Sequence, residues 1–267
     1  MYKITKEMKN TVAKSGLYIP NSMFSIGKDA KTVKGEKLGV TTGVMYLIPS
    51  AKLCPSRELA GCGGDCLVTA GRGIYESVHK GRTNKTALIA QHERIALIAI
   101  YVAIRKVKAK ALKNGTIPSV RLNGTSDIDW TNKRLDGKNM FEHFPEIQFY
   151  DYTKVPSIAR KSTKYDNYHI TVSYSDSPKY MPIFKELFNS GVNIAVVFRN
   201  GLPERFLGLP VVDGDISDLR FFDDKELEGQ KIIGLKAKGK ARKSDSTFII
   251  DTEKLNSHDD NIIAIAA

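Results

Sequence analysis

The chain is short of cysteine, nearly without tryptophan, and has no long apolar run. Its three cysteines cannot pair off completely, and a reducing compartment disfavours disulfides in any case. A disulfide-stapled secreted fold is therefore excluded. No run of about eighteen apolar residues exists to span a membrane, so no membrane partner is expected. The opening MYKITKEMKNTVAK lacks the apolar stretch and cleavage site of a signal peptide, and the expected location is a reducing cytoplasm. Also missing are G-x4-G-K-[ST], H-E-x-x-H, G-x-S-x-G and a dinucleotide fingerprint, which removes kinase, serine-hydrolase and Rossmann readings. Acidic residues are scarce as well: 29 against 41 Lys and Arg leave a net charge of +12. An excess of that size attracts polyanions.

What is present suffices for a folded core. With 267 residues and 42% hydrophobic content the chain is not mainly disordered, and an α/β barrel takes roughly 200–250 residues as one unit. Residues 1–40 are polar, with KDAKTVKGEKLG among them, and read as an N-terminal arm or a few short elements. Residues 41–267 read as one α/β domain. VMYLI, bounded by Pro49, is the expected first strand, and a cysteine loop follows over residues 50–73. Residues 84–113 carry the longest helical pattern. Leu88, Ile89, Ile95, Ala96, Ile98, Ala99, Val102 and Ala103 recur at spacings of three and four, and Asn114-Gly115 should end the helix.

Beyond it, short β-branched or aromatic runs each end in a polar cluster: SVRLN then GTSDIDW, EIQFY then DYTK, YHITVSY then SDS, VNIAVVF then RNG. LPVV then DGD and KIIGL then KAKGKARK follow, with FII and IIAIA last. Helical segments such as NMFEHF and PIFKELFNS lie between. Strands alternating with helices predict a parallel sheet. In parallel α/β folds, ligands bind at the carboxyl ends of the strands. That rim would carry Asn123, Ser126, Asp127, Asp129, Asp151, Thr153 and Lys154. Ser173, Ser175, Asp176, Arg199, Asp213, Asp215, Lys236 and Lys238 would join them. Of these, Asn123, Ser126, Asp127, Asp151, Lys154, Ser173, Asp213 and Asp215 are the candidate cofactor-binding residues. The cysteine loop should lie at the same rim.

Cys54, Cys62 and Cys66 are spaced C-x7-C-x3-C in LCPSRELAGCGGDCLVTAGRG. Thiolates are soft ligands suited to iron–sulfur clusters or zinc. A four-iron cluster usually takes four cysteines, so three leave one iron for a substrate or cofactor. Gly61, Gly63 and Gly64 let the backbone wrap closely. Zinc is the alternative, with His79 or His92 as fourth ligand. The loop lacks the paired spacing of a zinc knuckle and has no histidine inside it, which favours a [4Fe–4S] cluster.

Two other constellations carry chemistry. Asp127, Asp129, Asp151, Asp213, Asp215 and Asp218 could gather divalent metals for phosphodiester hydrolysis, although DGD is also an ordinary tight turn. LKAKGKARK holds Lys236, Lys238, Lys240, Arg242 and Lys243. On a strand the three lysines would share a face and track a nucleic-acid backbone; a solvated basic edge is the plain alternative.

The loop CPSRELAGCGGDCLVTAGRG, with VRLNGTSDIDW, FPEIQFYDYTK, NIAVVFR, VVDGDISDLRF and IIGLKAKGKA, resembles the phage family called gene product 88 from about Leu47 to Asp251. More distantly, a three-cysteine loop after the first strand looks like the radical S-adenosylmethionine superfamily. That likeness implies a partial or irregular parallel β/α barrel behind the N-terminal arm. It also implies a cluster on Cys54, Cys62 and Cys66 whose fourth iron takes S-adenosylmethionine. The usual spacing there is C-x3-C-x2-C, so the loop here departs from it. The resulting expectation is an iron–sulfur enzyme acting on nucleic acid or a nucleotide. The alternatives are a non-catalytic nucleic-acid-binding protein with a structural cluster or zinc, and a carboxylate-dependent nuclease.

Overall fold

The computed structural model describes residues 1–66, 71–225 and 228–257. Its helices are α1 (Lys6–Ala13), α2 (Ala30–Lys37), α3 (Glu76–Gln91), α4 (Glu93–Asn114), α5 (Met140–His143), α6 (Pro156–Ser162) and α7 (Met181–Phe188). The strands are β1 (Ser25–Ile26), β2 (Val40–Val44), β3 (Ile117–Arg121), β4 (Gln148–Thr153), β5 (Tyr168–Ser173), β6 (Ile194–Arg199), β7 (Arg205–Phe206), β8 (Leu209–Asp213), β9 (Ile232–Lys236) and β10 (Ile249–Asp251). The chain divides into two compact units. The first comprises Met1–Pro49, Arg72–Asp151 and Lys164–His169; the second comprises Ser50–Gly71, Tyr152–Thr163 and Ile170–Ala267.

In the first unit the strands run in the order β1-β2-β3-β4. β1 is antiparallel to β2, while β2 and β3 pair in parallel from Val40↔Ile117 to Val44↔Arg121. β2 is buried along its whole length, and its two threonines are satisfied across the sheet. Thr41 Oγ1 lies 2.7 Å from Thr116 Oγ1, and Thr42 Oγ1 lies 2.7 Å from Ser119 Oγ. The first strand thus precedes the apolar run VMYLI instead of coinciding with it. After Val44 the chain is held by Met45 N–H donating to Arg121 O, and by the hydroxyls of Thr125 and Thr86 accepting from Leu47 and Ile48 N–H.

The helix expected over residues 84–113 is two helices. His92 leaves helical geometry at φ −135°, ψ 54°. Its N–H still donates to Leu88 O and its carbonyl still accepts from Ala96 N–H, so the chain changes direction with those bonds kept. Gly115 ends α4 at φ 63°, as the Asn-Gly pair implies. The N-terminal forty residues form α1, β1 and α2. Thr5 caps α1 and an Asp29–Thr32 capping box starts α2, while Val12, Met23 and Phe24 are buried.

In the second unit the order is β5-β6-β9-β8-β7. β5, β9 and β10 all run parallel to β6. β5 pairs with β6 at its start (Val172↔Ile194) and β10 at its end (Ile249↔Val197). β9 follows β6 from Ile194 to Phe198, so β10 takes up the other edge of β6 where β5 has left it. β7 and β8 make an antiparallel hairpin whose turn residues Leu207 and Gly208 both have positive φ, 53° and 73°, the backbone of a tight hairpin turn.

The mixed α/β, mostly parallel architecture agrees with the sequence. The barrel does not: neither unit closes on itself. Among the described residues β1 pairs only with β2, and β7 only with β8. An antiparallel strand at the end of each row stops the parallel progression that barrel closure requires. The run IIAIA lies outside the described residues.

Candidate functional site

The cysteine loop is built from successive tight turns. Cys54 N–H donates to Ser50 O (2.8 Å), Arg57 N–H to Cys54 O (3.1 Å), and Cys62 N–H to Arg57 O (3.2 Å). The Cys62 thiol also points at Arg57 O, at 3.7 Å. Arg57 therefore joins the first cysteine to the second through its backbone, while its guanidinium lies over Gly63. A Cβ added there would meet Arg57 Nη2 at 2.7 Å. Gly61 sits at φ 63°. None of the three cysteines is in a disulfide, and all are half-buried.

Four side-chain hydrogen bonds fix this loop within the second unit. Ser56 Oγ donates to Lys154 O (3.2 Å), just past the end of β4. Ser175 Oγ donates to Ala60 O (2.7 Å), just past the end of β5. Ser246 Oγ donates to Gly61 O (2.8 Å), and Ser244 Oγ to Asp65 Oδ2 (2.7 Å). Ser244 and Ser246 belong to the segment leading into β10. The loop thus lies at the carboxyl ends of β4 and β5. Lys154 stands there with its ammonium 4.6 Å from the Phe248 ring centre. Ser173 is buried, its carbonyl accepting from Tyr180 Oη (3.0 Å), and Asp176 N–H donates to Thr247 O (2.8 Å).

The donor set, three thiols on one short loop, suits a soft metal or cluster. Zinc would draw its thiolates to within about 4 Å of one another. Among the described residues no three Cys, His, Asp or Glu side chains are gathered to hold a metal ion. His79 is exposed on α3, and His92 Nε2 lies 2.9 Å from Ser15 Oγ.

In the first unit, Asn123, Ser126 and Asp151 come together, but around their own backbone. Asn123 Oδ1 accepts from Ser126 Oγ (2.8 Å), Ile128 N–H (3.1 Å) and Trp130 Nε1 (3.0 Å), and its Nδ2 donates to Ile128 O. This asparagine shapes the 123–130 loop, so its amide oxygen has little capacity left for a ligand. Asp151, inside β4, accepts from Asn123 N–H (2.7 Å) and, more weakly, from Tyr168 Oη (3.4 Å). Arg121 Nε is 4.0 Å away. Burial pushes the Asp151 carboxyl up to about 7, against the opposing pull of Arg121 and the Asn123 N–H; the nearby Asp127 charge adds to the rise. Asp129 caps the turn Trp130–Asn132 by accepting from Thr131 N–H.

The acidic and basic turns of the second unit prove to be partners. Lys236 Nζ is 3.0 Å from Asp213 Oδ2, and Lys238 Nζ is 2.6 Å from Asp215 Oδ1. Asp215 Oδ2 also accepts from Lys236 N–H. The lysine ladder expected on a strand is not formed. β9 ends at Lys236, and Gly239–Lys243 is a 3-10 turn, because Gly239 takes φ 58° and turns the chain out of the extended state. Of the six aspartates weighed for divalent metals, Asp213 and Asp215 pair with lysines, and Asp129 and Asp151 accept from backbone N–H groups.

Sequence reasoning missed Arg57, Arg121, Ser244 and Ser246, whereas it placed Ser175 on the strand-end rim, where its hydroxyl meets the cysteine loop. Arg57 had a visible signal, since it lies between the first two cysteines. Ser244 and Ser246 had none, being ordinary loop residues until the fold brings their hydroxyls to the cysteine loop. No helix among the described residues is long and apolar enough to cross a membrane. The sequence matches the family described as Gene product 88 over residues 21–252. No curated protein and no solved structure matches it.

Proposed function

The chain belongs to the phage gene product 88 family, and from that premise we propose that it is an iron–sulfur protein of radical S-adenosylmethionine type acting on nucleic acid or a nucleotide in the host cytoplasm. Cys54, Cys62 and Cys66 would hold a [4Fe–4S] cluster, leaving one iron for the cofactor. When bound, such a cluster supplies the electron for reductive cleavage of S-adenosylmethionine.

The observation that carries the reading is the anchoring of the loop. Ser56 and Ser175 tie it to the residues just past β4 and β5, the end of a parallel sheet at which ligands bind. A structural staple has no need of that position. The loop also follows β2, the first parallel strand of the chain. Arg57 holds the first two cysteines in fixed backbone relation and sets its guanidinium, paired with Glu58 Oε1 at 2.9 Å, over Gly63. Ser175, Ser244, Ser246 and the Lys154 carbonyl supply polar groups in direct contact with the loop. Asn123, Ser126 and Asp151 serve the fold of their own unit.

The test is anaerobic purification followed by iron and acid-labile sulfide analysis. Brown protein absorbing broadly near about 400 nm, with the colour lost in Cys54→Ala, is the expected result. Colourless protein carrying one zinc per chain sinks the proposal. Reduced protein given S-adenosylmethionine should release 5′-deoxyadenosine. A cluster without that product assigns the loop a structural role.

A further inference from the structure

We infer that the 3-10 turn Gly239–Lys243 is a docking point for the phosphate backbone of a nucleic acid, held beside the cysteine loop. This deepens the nucleic-acid half of the reading above and is independent of the cluster.

The turn is anchored from below. Ala241 is 5% exposed and packs with Ala237 and Ile249, and Val197 and Phe248 close on the same cluster. Ala241 N–H donates to Lys238 O (3.2 Å) and Arg242 Nε to Ala237 O (3.4 Å). With Ala241 facing the core, Lys240, Arg242 and Lys243 are exposed. Among the described residues no carboxylate pairs with any of the three, whereas Lys236 and Lys238 are matched by Asp213 and Asp215, respectively. The fold therefore sorts one basic stretch into a neutralised pair and an unneutralised triad.

Position and spacing indicate the ligand. In a 3-10 turn residues three apart share a face at about 6 Å, so Lys240 and Lys243 present two cations within reach of neighbouring phosphates on one strand. The next residue, Ser244, donates to Asp65 immediately before Cys66, and its carbonyl accepts from Arg199 Nη1 (2.9 Å). Arg199 is itself fixed by Asp251 at 2.9 Å. A backbone held by the triad is thus delivered to the cysteine loop.

The experiment is fluorescence anisotropy of the full chain with a labelled DNA duplex across a salt series. It uses wild type, K240A/R242A/K243A and the charge-matched K3A/K6A/K9A, with melting curves to confirm that each variant is folded. Each phosphate contact contributes about 0.9 to the slope of log K against log salt. The triad variant should bind at least tenfold more weakly at low salt, with its slope reduced by about 2–3. K3A/K6A/K9A should lie close to wild type. Equal losses in the two triple variants would show that net charge alone acts, and unchanged binding by the triad variant would place the contact elsewhere. Either result overturns the inference. If wild type binds no DNA, the nucleic-acid half falls with it, while iron and sulfide content still judges the cluster.

Discussion

Asp151 is the clearest case of a residue whose chemistry is set by burial. Its folded pKa of about 7 lies above the usual carboxylate value of about 3.9, so between those values the folded state holds a proton that the unfolded state has released. Stability from this group is greatest at low pH and is lost as pH rises through about 7. The melting temperature of wild type should therefore fall between pH 5 and pH 8 relative to that of Asp151→Asn, a difference read directly from thermal melts of the two proteins. Ser175 tests the loop anchor. Its buried hydroxyl donates to Ala60 O at 2.7 Å, and Ser175→Ala should cost about 1 kcal/mol in urea unfolding. If the loop holds a cluster, the same variant should lose iron to a chelator faster than wild type does. Neither environment was visible in the sequence. Asp151 stands in a polar run after EIQFY, and only the parallel pairing of β3 with β4 brings it beside Asn123 and Arg121.

At the level of elements, the local signals were good where a single element satisfies itself. The runs SVRLN, VNIAVVF and KIIGL became β3, β6 and β9, because β-branched side chains fit a pleated, buried surface whichever strand lies alongside. Gly115 ended α4 for an equally local reason. The break at His92 had no such signal, since neither glycine nor proline stands there. Gly124 shows how closely two elements can depend on one atom. A Cβ at that position would lie 2.5 Å from the Met45 carbonyl oxygen, on the segment leaving β2, and backbone cannot swing aside as a side chain can. Gly124→Ala should therefore lower stability by roughly 1–3 kcal/mol, measured by chemical denaturation. Gly115→Ala, strained only by its φ of 63°, should cost about 1 kcal/mol.

At the scale of the whole molecule the excess of 41 basic over 29 acidic residues sets long-range attraction, and pairing decides where that charge is available. Asp213→Asn with Asp215→Asn adds two to the net charge and releases Lys236 and Lys238. The double variant should bind DNA more tightly at low salt and steepen the salt slope by up to about 2; a carboxylate-dependent nuclease would in addition lose Mg- or Mn-dependent cleavage. The sequence by itself determined the α/β class, the parallel strands, the family and the three-thiol loop, because composition, period-two patterning and contiguous motifs are local properties. Only the tertiary structure decided that the strand rows stay open, and that the loop is tied to the ends of β4 and β5. It also decided that two of the five cations in the basic stretch are already neutralised. Each of these depends on residues far apart in the chain, such as Ser175 with Ala60, Ser244 with Asp65, and Lys236 with Asp213, whose pairing no sequence spacing encodes.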